Sequence, residues 1–171
     1  MSTNHPKRTN SPLSVELRRA DLSDANHQRF FLELLDAYMQ HPMGADKPMP
    51  FENRDKLIRD LTEHPFQRTL FAMDQEEAIG LAVCFLGYST FYAQRLLNIH
   101  DLFVEADYRG QGVGLLLLQG VEDWAREMSC CKVTLEVHGD NLRGQSVYQE
   151  FGFDGGRDKM SFWTKLLVDS R

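Results

Sequence analysis

"NIHDLFVEADYRGQGVGLLLLQG", Asn98 to Gly120, runs from a β-patterned stretch through three glycines at alternate positions into a leucine-rich helix. The first-turn N–H groups of a helix have no partner inside it and lie at the positive end of its dipole, so an anion is stabilised there. Glycines allow the backbone to approach that anion with no side chain between. Arg109, Gly110, Gln111, Gly112, Val113 and Gly114 therefore read as a phosphate-binding junction, the plainer alternative being a tight turn that starts an apolar helix. A nucleotide P-loop would need Gly-Lys-Ser/Thr, but Gly114 is followed by Leu115. A dinucleotide fold would need G-x-G-x-x-G early in a βαβ unit, and here the spacing is G-x-G-x-G, late in the chain.

Working outward, the strand before the glycines spans Arg95 to Val104, and the helix after them runs from Val113 to Met128 with Leu117, Val121, Trp124 and Met128 on one face. Upstream, Val15 to Arg19 alternates as a strand, and Asp21 or Ser23 is placed to cap the helix that carries Phe30, Phe31, Leu34, Leu35 and Tyr38. "HPMG" at His41 to Gly44 ends that helix. A shorter one, Phe51 to Leu61, is closed by "EHPF". Gln67 to Met73 and Ala78 to Tyr88 are β-rich runs joined by "DQEE", a hairpin. Downstream, Val133, Leu135 and Val137 alternate in a strand, "GDN" leads into a helix from Leu142 to Phe151 with Gly152 as its C-terminal cap, and Lys159 to Leu167 forms a last strand. Strands and helices in this order describe one α+β domain, residues 13–171, behind a flexible tail, residues 1–12.

Composition narrows the function classes. The 171 residues are 42% apolar and 26% charged, the balance of a globular domain, and 19 Lys and Arg against 25 Asp and Glu leave a net charge of −6. Nucleic-acid binders draw much of their affinity from cationic contacts to phosphate, so a nucleic-acid partner is not expected. Cys84, Cys130 and Cys131 make an odd count with one adjacent pair, poor material for a disulfide framework and consistent with a reducing cytoplasm. The longest apolar stretch, Ala78 to Tyr88, is too short to span a bilayer, so no membrane partner is expected.

"DLFVEADYRGQGVGLLLL" resembles the pyrophosphate-binding motif of the GNAT superfamily of N-acetyltransferases, Arg/Gln-x-x-Gly-x-Gly/Ala. "CKVTLEVHGDNLRGQSVYQEFGF", Cys131 to Phe153, is similar to the second signature of that superfamily, with an Asn after the strand and a Tyr seven residues later. The resemblance covers Val15 to Leu167. It implies a mixed, mostly antiparallel sheet of six to seven strands flanked by about four helices. It also implies acetyl-CoA as donor, a small primary amine as acceptor, no metal, and a homodimer. Arg109 to Leu115 would bind the pyrophosphate, while backbone groups of Leu102, Phe103 and Val104 would hold the pantetheine and the thioester oxygen. Asn141, Gly144 and Tyr148 would complete the cofactor site. Within the superfamily, "EHPF" and "DLFVEADYRGQGVG" are similar to the diamine (spermidine/spermine) acetyltransferases, but His100, Met39 and Met160 stand where acids would hold a polyamine. A smaller or more apolar amine than spermine is therefore expected. A protein or peptide acetyltransferase and a non-catalytic acetyl-CoA-binding regulator are the alternatives.

The chemistry needs a base for the acceptor ammonium, whose pKa is about 10.4, and an acid for the departing thiolate, whose conjugate acid lies near about 8.5. Tyr148, a phenol with pKa near about 10, occupies the matching position for the acid. As strand neighbours, His100 and Asp101 should face opposite sides. His100, pointing with Leu102 and Val104, is the expected base, while Asp101 faces the other layer. Glu136 and His138 share a face of the next strand and, with water, remain alternatives. Tyr38, His100 and Glu136 are the expected substrate contacts.

Overall fold

The computed structural model describes residues 14–42, 44, 47–155 and 165, which fall into two compact units that divide after His138. The expected tail and the expected last strand, with Met160, lie outside the described residues. In chain order the elements are β1 (Val15–Arg19), α1 (Ala25–Met39), α2 (Phe51–Glu63), β2 (Gln67–Asp74), β3 (Glu77–Ser89) and β4 (Gln94–Val104). A single 3₁₀ turn at Ala106–Tyr108 leads to α3 (Val113–Glu127) and β5 (Val133–Leu135), and α4 (Leu142–Phe151) belongs to the second unit.

The first unit is a sheet in the order β1-β2-β3-β4-β5, antiparallel until β5, which lies parallel to β4. The described residues thus hold five strands where six to seven were expected, and the sheet is mixed. Phe30, Phe31 and Leu34 of α1 and Ile58 of α2 pack on one face against Phe71, Met73, Leu81, Val83 and Phe103. On the other face α3 buries Leu117, Leu118 and Val121. Each large side chain so buried contributes about 1.5–3 kcal/mol.

The glycine at the middle of α3 explains how closely the helix lies on the sheet. A Cβ on Gly120 would stand 2.4 Å from Leu17 Cδ1 and 2.7 Å from Leu70 Cδ2. Helix propensity disfavours glycine there by roughly 0.8–1.0 kcal/mol relative to alanine, so close packing against β1 and β2 is what the residue provides. The α1 cap differs from expectation. Asp24 is the N-cap and accepts from the backbone N–H groups of Asn26 and His27, at 2.8 and 3.0 Å. Asp21 instead accepts from the N–H and hydroxyl of Ser23, which commits it to the turn before the helix.

Two irregularities shape β4. Val83 pairs with Asp101 and Cys84 with Ile99, so His100 is an extra residue on β4 with no partner on β3, a β-bulge. The parallel ladder with β5 runs only from Leu97 to Ile99 and stops where the bulge begins. A bulge bends its strand, which accounts for β5 ending at Leu135 rather than at Val137. Beyond Ile99, β4 has no strand neighbour on that side among the described residues.

Gly120→Val should destabilise the first unit by about 1–3 kcal/mol, since a branched side chain must displace Leu17 or Leu70 from a filled layer. Urea unfolding checks this, and an unchanged midpoint would mean that the α3 packing is not tight at this point.

Candidate active site

The glycine turn follows β4 directly. Gly110 and Gly112 have φ of 76° and 85°, the left-handed region that glycine enters without steric cost. Gly112 is the N-cap of α3 and no side chain caps this end of the helix. The Leu116 N–H bonds back to the Gly112 carbonyl at 3.0 Å, so the N–H groups of Val113, Gly114 and Leu115 have no acceptor inside the helix. A Cβ on Gly112 would meet nothing within 4 Å, and one on Gly114 only Val104 Cγ2 at 3.9 Å. The turn thus presents unshielded donors with open space before them.

Arg109 has partners of its own. Its Nε–H donates to the Val104 carbonyl at 2.7 Å, Nη1 lies 3.0 Å from His41 Nε2, and the guanidinium stands 5.3 Å from the centre of the Phe103 ring. The residue after α1 and the end of β4 are bridged by one side chain of the turn. Gln111 is likewise engaged, donating from Nε2 to the Asp107 carbonyl at 2.7 Å.

The bulge overturns the expected orientation of His100, while Asp101 lies, as expected, on the face opposite Leu102 and Val104. Asp101 lies opposite Val83 and Phe103 opposite Leu81, and this is the sheet face covered by α1 and α2. Leu102, opposite Ala82, lies on the α3 face together with Val104, which approaches Gly80 beside Leu117. His100, the inserted residue, stands edge-on to Phe85 at 5.6 Å, on the same face as Asp101. Alternation fails here because the extra residue restarts the pleat.

Around this pair the face is aromatic. Tyr38 from α1 packs on Phe103 at 5.7 Å, and His64, the C-cap of α2, meets Phe85 at 5.2 Å. The Phe66 backbone N–H donates to His64 Nδ1 at 3.3 Å. Asn98, opposite Phe85, donates to Thr134 Oγ1 at 3.1 Å and approaches both Glu136 carboxylate oxygens at 3.4 Å, which brings Glu136 to this face. Tyr38, His100 and Glu136 therefore lie on one face of the sheet. His138 is exposed beyond β5.

Electrostatics mark out Asp101. Burial raises its pKa above the ordinary 3.8, and the adjacent His100 offsets this only in part. Burial also raises the pKa of the Tyr38 phenol, and the Asp101 charge adds to that shift. The Cys84 thiol, fully buried, is pushed up to about 12 by burial and then by Asp101, which makes it inert as a nucleophile.

In the second unit, Asn141 caps α4 by accepting from the Gly144 N–H at 2.9 Å. A Cβ on Gly144 would stand 2.5 Å from Asn141 Nδ2, so the capping side chain folds over this glycine and requires it to be small. Tyr148 packs edge-on to Phe153 at 5.9 Å, and Gly152, at φ 104°, ends the helix as expected.

Phe85, His64 and Asp101 are the residues of the site that sequence reasoning missed. Leu81, Val83 and Phe85 alternate toward one face, a signal for Phe85. Nothing local marks His64 or Asp101, whose positions depend on the α2 terminus and on the bulge.

With this geometry the comparisons agree. The model of the acetyltransferase (GNAT) family matches residues 25–153, three quarters of the chain and parts of both units, and the chain belongs to that family. It is 26% identical over 137 residues to an uncharacterised N-acetyltransferase of Archaeoglobus fulgidus, covering 78% of this chain and 89% of that one. It is 30% identical over 74 residues to the thialysine N-epsilon-acetyltransferase of Bos taurus, covering 43% of each. A solved aminoglycoside N-acetyltransferase in complex with CoA shares the fold, with a TM-score of 0.73 at 17% identity over 92% of this chain and 99% of that one. The protein is an N-acetyltransferase.

The raised pKa of Asp101 has a consequence for stability. The fold binds this proton more tightly than the unfolded chain does, so the contribution is fully present below the ordinary value of about 3.9 and is lost as pH rises through the raised one. Asp101→Asn, neutral and of the same shape, should melt above the parent at about pH 7 and lose that advantage in acid. Thermal melts across pH check it, and a lower melting temperature at neutral pH would contradict the burial.

Proposed function

We propose that this enzyme moves the acetyl group of acetyl-CoA to the primary amine of a small molecule. The observation that carries the reading is the turn itself: two left-handed glycines that lead into an uncapped α3 with open space before its free N–H groups. Backbone donors from Gly110 to Leu115 suit a pyrophosphate, and Arg109 adds positive charge at the same place. The edge of β4 at Leu102, Phe103 and Val104, which has no strand neighbour among the described residues, offers backbone groups to the amides of pantetheine and an N–H to the thioester oxygen. The Val104 carbonyl is already taken by Arg109 and the Phe103 carbonyl turns toward Gly80 of β3, so Leu102 supplies the free carbonyl.

Acetyl transfer is direct. A thiol with a pKa of about 12 cannot serve as an acyl carrier, so Cys84 takes no part. The amine attacks the thioester carbonyl, the C–S bond breaks, and Tyr148 protonates the departing thiolate. Its role, and those of Asn141 and Gly144 toward the cofactor, rest on their places in the second signature. On the acceptor side we assign Tyr38 and Glu136 to the walls and His100, exposed at the rim over Phe85, to the proton's exit. An aromatic face with Met39 at the end of α1 suits a compact amine with an apolar body better than spermine. We assign a homodimer working in the cytoplasm, with no metal, nucleic acid or membrane involved; the three cysteines are free, as that setting requires.

Gly114→Val tests the cofactor site with the fold preserved, because position 114 is helical and open. At Gly112 the left-handed φ would strain any β-branched residue whether or not a ligand binds. Calorimetry should show acetyl-CoA binding weakened by about tenfold or more, or about 1.4 kcal/mol. Undiminished affinity would remove the pyrophosphate from this turn. Tyr148→Phe should lower kcat by about a hundredfold or more with cofactor affinity unchanged. Turnover within about threefold of the parent would take Tyr148 out of the acid role.

A further inference from the structure

Four rings stand in a row on the sheet face that carries α1 and α2. Phe66 lies 6.2 Å from His64, His64 lies 5.2 Å from Phe85, and Phe85 lies 5.6 Å from His100, each ring edge-on to the next at 71°, 82° and 77°. Core packing does not account for the row. Phe85 only borders the hydrophobic cluster beneath it, Phe66 is 55% exposed, and both histidines are exposed. Aromatic surface left in water is surface that a bound apolar group can cover with a gain in free energy.

The rings are also held in place. His64 is the C-cap of α2, and its Nδ1 accepts from the Phe66 N–H at 3.3 Å, so the neutral ring carries its proton on Nε2. The Gln67 N–H closes the turn on the His64 carbonyl at 3.2 Å, and the Leu86 N–H donates to the Phe66 carbonyl at 2.8 Å, which ties the turn to β3 beside Phe85. Pro65, between His64 and Phe66, restricts the backbone further. The last ring is supplied by the bulge, because a regular strand with Asp101 on this face would turn His100 to the other. A surface fixed in this way has little freedom to lose when a ligand settles on it.

Resting on the acetyl-transfer reading, we propose that this row is the acceptor's binding surface for an aromatic body, which makes the substrates arylalkyl primary amines. Edge-on and offset contacts between rings favour an aromatic guest over a saturated one of the same size by about two- to tenfold for a well-placed pair. His100 stands two residues before Leu102, whose backbone is assigned to the cofactor, a distance of about 6.6 Å along the strand. A ring over Phe85 and His100 is therefore joined to an amine at the thioester by a short alkyl chain, and a longer aromatic body continues toward His64 and Phe66. None of the four side chains is an acid, so the row distinguishes acceptors by their rings and not by added positive charge.

The test sets phenethylamine against cyclohexylethylamine, which has the same chain and a saturated ring of similar size, with biphenylethylamine as an extended probe. Acetyl-CoA-dependent thiol release gives kcat/KM for each. The parent should prefer the phenyl to the cyclohexyl amine by about three- to tenfold. Phe85→Leu keeps an apolar side chain and removes the ring, and should bring the two within about twofold, chiefly through KM. Phe66→Leu, at the exposed end of the row, should lower the ratio of biphenyl to phenyl activity by about threefold. Melting temperatures and calorimetry with acetyl-CoA show that the variants are folded, and if Phe85→Leu is not, the Phe66→Leu ratio decides. A parent that uses cyclohexylethylamine as well as phenethylamine, a preference that persists in folded Phe85→Leu, or an unchanged ratio in Phe66→Leu overturns the aromatic surface and leaves the acetyltransferase reading intact. A parent that binds acetyl-CoA and acetylates none of the three overturns the small-amine reading and this assignment with it.

Discussion

One inserted residue governs the geometry of this protein. His100 has no partner on β3, and the sheet on either side of it is in a different register. Three consequences meet at that point. The parallel ladder with β5 stops at Ile99, the far edge of β4 is left without a strand neighbour among the described residues, and two ionisable side chains reach the same face. A regular strand would have continued the ladder and turned either His100 or Asp101 into the α3 layer. The hydrophobic packing tolerates the insertion because the faces are re-established at once on both sides: Ile99 and Leu102 toward α3, Val83 and Phe103 toward α1.

The elements before and after that point were legible from the chain. Apolar spacing at three and four residues placed α1, α2 and α3 within a few residues of their ends, and β2, β3 and β4 followed from β-rich runs bounded by turns. The glycine turn was legible because both of its left-handed residues are glycine, the residue that enters that backbone region without steric cost. What failed were features decided at a distance. The bulge leaves no local mark, since "NIHDLFV" reads as unbroken alternation, and so the expected orientation of His100 was wrong. Two acids and a hydroxyl, Asp21, Asp24 and Ser23, lie just before α1, and the cap is Asp24 rather than either of the two expected residues.

Two residues of the motifs have partners of their own in the structure. The small size of Gly144 is explained by its own cap, because Asn141 folds back across it. Arg109 was read as a phosphate ligand, and its guanidinium is engaged with a strand carbonyl and a histidine. A motif specifies residue types and spacing; which atoms those residues hold depends on what the rest of the chain brings near.

The bridge made by Arg109 also bears on how the two substrates affect one another. The same guanidinium fixes the end of β4 and the first residue beyond α1's C-cap, so neither can shift alone. A ligand that draws Arg109 toward the glycine turn must release the Val104 carbonyl, His41 or both. Free energy spent on that release by the first ligand to bind is not required of the second. By reciprocity, whatever help the second ligand gains from that release it returns to the first to the same degree.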